Sequence, residues 1–510
     1  MRVTNSMISN SARSHIFNAK SKLLMYEEQY TTEKKIQRPS DDPTIAVRSL
    51  KYRSTMSQIT QYVEKNVQDA MSWMDTTESA MKNINAILVN MKGYLDQGAN
   101  DYLAMDERTA VLSTIEQYVN SIFEDEANSD YSGRYVFTGY RTDTSLIFGK
   151  ETTNLAYEIT ENFAYSDVES VNIIKGGAAF DESITDGQEY IDMAPSKEAV
   201  YRLQLAYRDC SNSGMQDDGT TPSGVAEDYV KLTMTYKDAA GDTQTDVVTT
   251  VTRSSEEEGA YTIGDDEIVY MYDTGEVLMG KNVYESIQEK QMSVAVEYCK
   301  TEFTERDIRP EMYFECSSYD SVTKKTAHYV DPSEQNIEYE INFSQTMAVN
   351  TQGKDAIDTS IYRAIDYLRR TIEDVDDVEN RIADVEKMIA NSNSDEEIET
   401  LKQLQETLTT ERSLRVTIMT EAFGKGLTMV DNAQEKLNVA VANLGTRYNR
   451  LELTFNKLSD QKVDTEEALS NNEDVDLADA YINLTQADNL YQYSLSSTSK
   501  ILGNSLLDYI

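Results

Sequence analysis

Side chains able to do acid, base, nucleophilic or metal chemistry are few in this chain of 510 residues, which holds two histidines and three cysteines. His15 falls on the polar side of a helical pattern and His328 in a loop-like KKTAHYV stretch, and neither has company at metal-ligand spacing. Cys210, Cys299 and Cys316 are odd in number and lack a C-x-x-C spacing, so no disulfide framework is expected. Cys299 and Cys316 lie in β-like runs and read as small core side chains. Gly176-Gly177 and Gly424-Lys425-Gly426 resemble pieces of a phosphate loop, but the full G-x-x-x-x-G-K-[ST] order is absent, which leaves turn or helix-end glycines. The acidic run 472–476 lacks the glycine and distal glutamate of a calcium loop and is expected to cap a helix. No catalytic, cofactor or metal residue is expected, and the chain does not read as an enzyme.

Composition narrows the partners. With 89 acidic against 47 basic side chains the net charge is −42, which argues against nucleic acid and anionic membrane surfaces, since both require local positive charge. Hydrophobic residues are 39%, on the low side, and six prolines leave room for long helices packed in thin layers. The start MRVTNSMISN has no basic segment followed by an apolar one. Either the protein stays in the cytoplasm or it leaves by a route that reads no cleavable signal.

What the sequence does carry is periodicity. Ile8, Ala12, Ile16, Ala19, Leu23, Tyr26 and Tyr30 recur at steps of three and four, predicting a helix over 7–35 with a narrow apolar stripe. It must stop at Arg38-Pro39-Ser40-Asp41-Asp42-Pro43: the two prolines drive the residue before each out of the helical region. Ser40, Asp41 or Asp42 can cap the next helix, and Pro43 suits its first position. From Val63 through Val67, Ala70, Met74, Thr77, Met81, Ile84, Leu88, Met91 to Leu95 the pattern becomes a strict heptad seam. A third helix is predicted over 106–128, and from Gly133 the period changes to that of strands.

Residues 149–350 read as a mostly antiparallel β region with one or two short helices, notably at 196–209. Helical periodicity returns at Asp355. A long helix ends at a polar break over 391–395, another runs to about Thr410, and a second four-three seam runs through Leu437, Val441, Leu444, Tyr448, Leu451, Phe455 and Leu458. The two seams are expected to pair. The residues 474–476 are expected to cap a final helix with Leu484, Ala487, Tyr491, Leu495, Leu502 and Leu506 on one stripe. The fold class is therefore mainly α with an inserted β-rich domain, its antiparallel coiled-coil-like helices drawn from both chain halves and its N- and C-terminal helices paired. Three regions are expected: 1–42 with 476–510, 43–148 with 351–475, and the insert 149–350.

Four motifs in this order carry a resemblance: RPSDDPTIA after one helix, GRYVFTGY closing the first helical half, LGTRYNRLE at 444–452 and the final SLLDYI at 505–510. Together they resemble the flagellar hook-associated protein 3 family, the flagellin-like hook-filament junction proteins, over about the first 148 and last 90 residues. The resemblance implies a non-enzymatic subunit of the bacterial flagellum, extracellular and exported unfolded without a cleavable signal peptide. It would form a homo-oligomeric ring between a hook-associated protein on the hook side and flagellin on the filament side, with an export chaperone as a further partner. Its terminal helices would fold on assembly through a seam of Ile8, Ile16, Leu23, Tyr26, Leu484, Tyr491, Leu495, Leu502 and Leu506, angled by a hinge at Pro39, Asp41, Asp42 and Pro43. The alternatives are a flagellin filament subunit and, from another class, a binding or enzymatic insert displayed on a coiled-coil stalk. The insert and the helical segment 372–424 are both longer than the family implies.

Overall fold

The computed structural model describes residues 5–100, 103–181, 183–184, 187–212, 230–238, 241–257, 259–330, 335–392 and 394–502. Helix α1 spans Asn5–Thr32 and gives way to the proline corner. Helix α2, Pro43–Gln61, begins as its sequence dictates: Asp42 Oδ1 accepts from the backbone N–H groups of Thr44 and Ile45 at 2.8 and 3.2 Å, and Pro43 occupies the first turn. One π-helical turn, Tyr62–Asn66, leads into α3, Val67–Gly98, and α4, Met105–Asn120, also closes in a π turn, Ser121–Glu126. Every residue of the first seam from Val63 to Leu95 is buried.

The predicted change of period at Gly133 is a tight hairpin of β1, Asp130–Tyr131, and β2, Arg134–Tyr135. Asp130 supports it by accepting from the N–H of Gly133, which sits at φ +76°. The strands that follow are β3 (Leu155–Phe163), β4 (Glu169–Lys175), β5 (Ser196–Gln204), β6 (Lys231–Lys237), β7 (Thr243–Thr249), β8 (Val251–Arg253), β9 (Ile268–Met271) and β10 (Glu276–Met279). After them come β11 (Ser293–Lys300), β12 (Glu315–Asp320), β13 (Lys325–Tyr329), β14 (Glu338–Asn342) and β15 (Gln345–Ala348). One sheet has the order β4-β5-β10-β9-β8, a second β13-β12-β3-β11-β6-β7, and β14 pairs with β15. Tyr157, Ile159, Leu203, Leu232, Tyr270, Val294 and Tyr298 belong to a single apolar core drawn from these two larger sheets.

The short helices of this region are α5, Gly187–Asp192, and α6, Lys281–Lys290. The stretch 196–209 is not helical. Its first nine residues are strand β5, paired on both sides with β4 and β10. A short apolar run fits either period, and two flanking ladders decide it. His328, expected in a loop, lies on strand β13 and bonds Ser317 Oγ through Nδ1 at 2.7 Å.

Helices α7, Gly353–Ala356, and α8, Ser360–Asn391, precede the predicted polar break. Beyond it a single helix α9 runs Asp395–Glu473, 79 residues with no interruption near Thr410. Gly424 and Gly426 therefore lie inside a helix, not at a helix end; a Cβ on Gly426 would meet Leu95 at 3.2 Å, so glycine there permits close packing of α9 on α3. Helix α10 spans Leu477–Leu502, capped by Asp476, whose Oδ1 accepts from Ala478 and Asp479 N–H at 2.8 and 3.3 Å.

The chain forms two compact units: residues 1–71, 339–347 and 449–510, and residues 72–338 with 348–448. Within the second, Leu95 lies against Gly426 and Asn85 accepts from Gln434 at 2.9 Å, so α3 and α9 run antiparallel there. In the same unit the five-stranded sheet is tied to α8 and α9 by a buried ionic chain. Lys425 and Arg202 reach Glu169 at 3.0 and 2.7 Å, and Arg202 and Arg370 reach Glu276 at 2.5 and 3.0 Å.

Candidate assembly surface

In the first unit α1 and α10 pack antiparallel, with Tyr30 beside Tyr481 at a ring distance of 6.1 Å. The buried contacts along this pair are alanines: Ala12, Ala19, Ala480 and Ala487. Small side chains let the two backbones approach, but they remove little apolar area from water. The larger seam residues Ile16, Leu23, Tyr26, Leu484 and Tyr491 are half-buried, while Ile8 and Leu495 are exposed. Leu502 ends α10 with a side chain outside the described residues, and Leu506 lies outside them altogether.

Beyond the stripe the same helices present large apolar groups to solvent. Phe17 and Tyr493 are each 72% exposed, and Leu24, Met25, Ile482 and Leu490 are exposed as well. A helix pair with apolar residues both inside and outside its seam has more hydrophobic surface than one partner covers, the signature of a site for further protein.

The corner between α1 and α2 is held by chemistry that sequence reasoning missed. After α1, Glu33 adopts φ +61°, and the chain runs antiparallel to the end of α9: Lys35 N–H donates to Glu473 O at 2.7 Å and Val475 N–H to Glu33 O at 3.0 Å. Lys34 forms ion pairs with both Asp474 and Glu473, and Arg53 of α2 pairs with the buried Glu473 carboxylate. Asn472 Nδ2 donates to Ile45 O at 3.1 Å and to Ser49 Oγ at 2.9 Å. Burial alone would raise the Glu473 carboxyl, but Arg53 and Lys34 outweigh it and hold it below its ordinary value. Asp474 is lowered by its hydrogen bond from Lys34, which in turn is raised by Asp474. The run 472–476 therefore divides its work: Asp476 caps α10, while Glu473 and Asp474 clamp the corner.

Of the predicted hinge, Asp42 caps α2 and Asp41 Oδ2 accepts from the N–H groups of Gln37 and Arg38 at 3.1 and 2.9 Å, closing the turn around Pro39. Pro39, Asp41 and Pro43 are exposed. A groove of about 660 Å³ lies beside them, lined by Leu24, Met25, Lys35, Ile36, Arg38 and Ile45 among others. Among the described residues no group of three or more His, Cys, Asp or Glu could hold a metal ion, and no helix is long and apolar enough to cross a membrane.

Residues 3–142 match the bacterial flagellin N-terminal helical region, and residues 427–510 the bacterial flagellin C-terminal helical region. Both ends of the chain thus carry flagellin-like helical regions, the class of helix to which α1 and α10 belong. Within that class the chain resembles flagellar hook-associated protein 3, as the four motifs imply. It is 26% identical over 145 residues to flagellar hook-associated protein 3 of Escherichia coli (strain K12) and 23% identical over 145 residues to that of Salmonella typhimurium. Each match covers 28% of this chain and 45% of the relative, so the chain spans about half the length of the curated relatives it matches. Among solved structures, a putative flagellar hook-associated protein from Vibrio parahaemolyticus aligns over 85% of this chain and 100% of that one, at 12% identity and a TM-score of 0.38. Xanthomonas campestris FlgL aligns over 82% and 99%, at 10% identity and a TM-score of 0.30.

Proposed function

We propose that this protein is a junction subunit of the flagellum, forming a ring between a hook-associated protein on the hook side and the flagellin filament. The observation that carries the reading is the α1–α10 pair, closed by four alanines and leaving Phe17 and Tyr493 each 72% exposed at its flanks. Seam residues Ile8, Ile16, Leu23, Tyr26, Leu484, Tyr491, Leu495, Leu502 and Leu506 complete their packing against other copies, and ordering of these helices is coupled to assembly. Ring contacts are head-to-tail, with different neighbours above and below. The corner at Pro39 to Pro43, fixed by Lys34, Arg53, Glu473 and Asp474, sets the angle at which α1 leaves α2. Residues 1–42 with 476–510 make the inner assembly region, and 149–350 the outer one. The chain works outside the cell and reaches its place unfolded, with an export chaperone as a transient partner.

The similarity to hook-associated protein 3 favours the junction over a bulk filament role. To test it, Glu285→Cys on the exposed side of α6 is labelled with a gold or fluorescent maleimide on isolated flagella. Cys210, Cys299 and Cys316 are buried, so the new thiol reports alone. One label cluster at the hook–filament boundary is expected; label along the whole filament would make the chain a flagellin instead.

A further inference from the structure

We propose that the six-stranded sheet of one copy is continued by that of the next, β7 of one chain pairing with β13 of its neighbour in a head-to-tail array. The inference rests on the junction reading for bringing copies side by side, and it names the outer surface through which they touch.

The sheet runs β13-β12-β3-β11-β6-β7, and all five pairings in it are antiparallel. With an even number of strands its two edges run in opposite directions. A second copy set beside the first in the same sense therefore presents an antiparallel strand and extends the ladder without a reversal. Among the described residues neither edge has a further strand: β7 is exposed at every residue, and β13 is exposed or half-buried throughout.

The free hydrogen-bonding groups can be assigned by alternation. Thr250 N–H donates to Val230 O at 3.3 Å, so the even-numbered residues of β7 bond inward to β6, and Thr243, Thr245, Val247 and Thr249 turn their N–H and C=O outward. Ser321 N–H donates to Asn154 O at 2.9 Å, so alternate residues of β12 bond to β13 and occupy Lys325, Ala327 and Tyr329. That leaves Thr326 and His328 turned outward.

Setting Thr245 opposite Thr326 satisfies both edges and fixes the side chains. Asp246 then faces Lys325 across a non-hydrogen-bonded pair, where side chains approach most closely. Asp246 lies opposite Met234, and Lys325 opposite Asp320, on the same side of the sheet as the buried Met234 and Cys316. Neither Asp246 nor Lys325 makes an ion pair among the described residues. The charges also discriminate. Pairing two β7 edges brings Asp246 against its own copy, and pairing two β13 edges brings Lys324 and Lys325 against theirs, so only the mixed contact joins opposite signs. Charged edge strands also serve to keep sheets apart, and that role predicts no contact at all in the experiment below.

Thr245→Cys and Thr326→Cys are introduced together in the full chain, and isolated flagella are mildly oxidised. The expected result is a ladder of disulfide-linked trimers and higher species, with either single cysteine variant stopping at monomer or dimer. In the double-cysteine background, Asp246→Lys or Lys325→Asp is expected to lower the ladder at least tenfold, and the two together to restore it. The proposal is overturned by absence of a ladder in material that contains the chain, by dimers from a single cysteine as abundant as the ladder, or by a ladder indifferent to the charge swap. If the variant does not reach flagella, the purified protein is oxidised at high concentration and the same outcomes decide. The Glu285 label on the same preparation tests the junction reading separately, since a ladder and a boundary position succeed or fail independently.

Discussion

Replacing Glu473 by Gln removes the charge on which Arg53 and Lys34 converge but keeps a side chain of the same shape. Glu473 is buried, whereas the side chains of Arg53 and Lys34 are 59% and 40% exposed, so solvent screens the partners and the full value of a buried charge pair does not apply. Charge-assisted hydrogen bonds contribute about 1.5–3 kcal/mol each before that discount, which leaves about 1–3 kcal/mol for the substitution. The loss falls on local opening of the corner, where Lys35 N–H bonds Glu473 O at 2.7 Å and Val475 N–H bonds Glu33 O at 3.0 Å. Amide hydrogen exchange reads that opening directly. Exchange at Lys35 and Val475 is expected to quicken by roughly 5- to 150-fold, while amides along Val67 to Leu95 stay unchanged. The wild-type protection should also depend on pH with a definite sign. Glu473 and Asp474 are lowered from 4.5 and 3.8, so their contribution is present above those values and fades as the pH falls through the depressed ones. Lys34 is raised from 10.5, so its share is present below that value and is lost as the pH rises past it. Exchange at Lys35 and Val475 altered less than twofold in the variant would refute the clamp.

Two further substitutions probe other levels of the fold. Glu276, buried between Arg370 and Arg202, is held down to about 2 from 4.5 although burial opposes this, so about 3 kcal/mol is present above pH 4.5 and lost as the pH falls toward 2. Glu276→Gln strands Arg370 and leaves Arg202 with Glu169 alone, and should cost about 3–5 kcal/mol, lowering the thermal midpoint of the second unit by roughly 4–6 °C at pH 7; a shift below about 1 °C would dissolve the proposed lock between sheet and helices. Asp42→Ala loses both N-cap hydrogen bonds of α2 and should cost about 1 kcal/mol, seen in exchange of the Thr44 and Ile45 amides, with unchanged exchange there contradicting the cap.

The parts of the fold written in local periodicity were legible: the heptad seam from Val63 to Leu95, the Asp42–Pro43 helix start, and the change of period at Gly133. Strand β5 was not, because its apolar residues fit a helix equally well and only the ladders to β4 and β10 distinguish the two. The length of α9 was hidden by changes of partner along it, which disturb the apolar phase although the backbone stays helical. The clamp was invisible for another reason. Lys34 and Asp474 are 440 residues apart, and nothing local in either stretch marks the other as its partner. Ala12, Ala19 and Ala487 were on the predicted stripes, yet composition gave no sign that these small residues, and not the large ones beside them, make the closest contact.

The central claim is that the exposed flanks of α1 and α10 are covered by neighbouring copies when the protein takes its place. It is tested most directly by placing a cysteine at Phe17 or at Tyr493 and comparing maleimide reactivity in dilute monomer and in isolated flagella, with Glu285→Cys as the outward control. The account predicts that both helix positions react readily in the monomer and at least tenfold more slowly after assembly, while Glu285→Cys reacts equally in both. Equal reactivity of Phe17→Cys and Tyr493→Cys in monomer and flagella would contradict it.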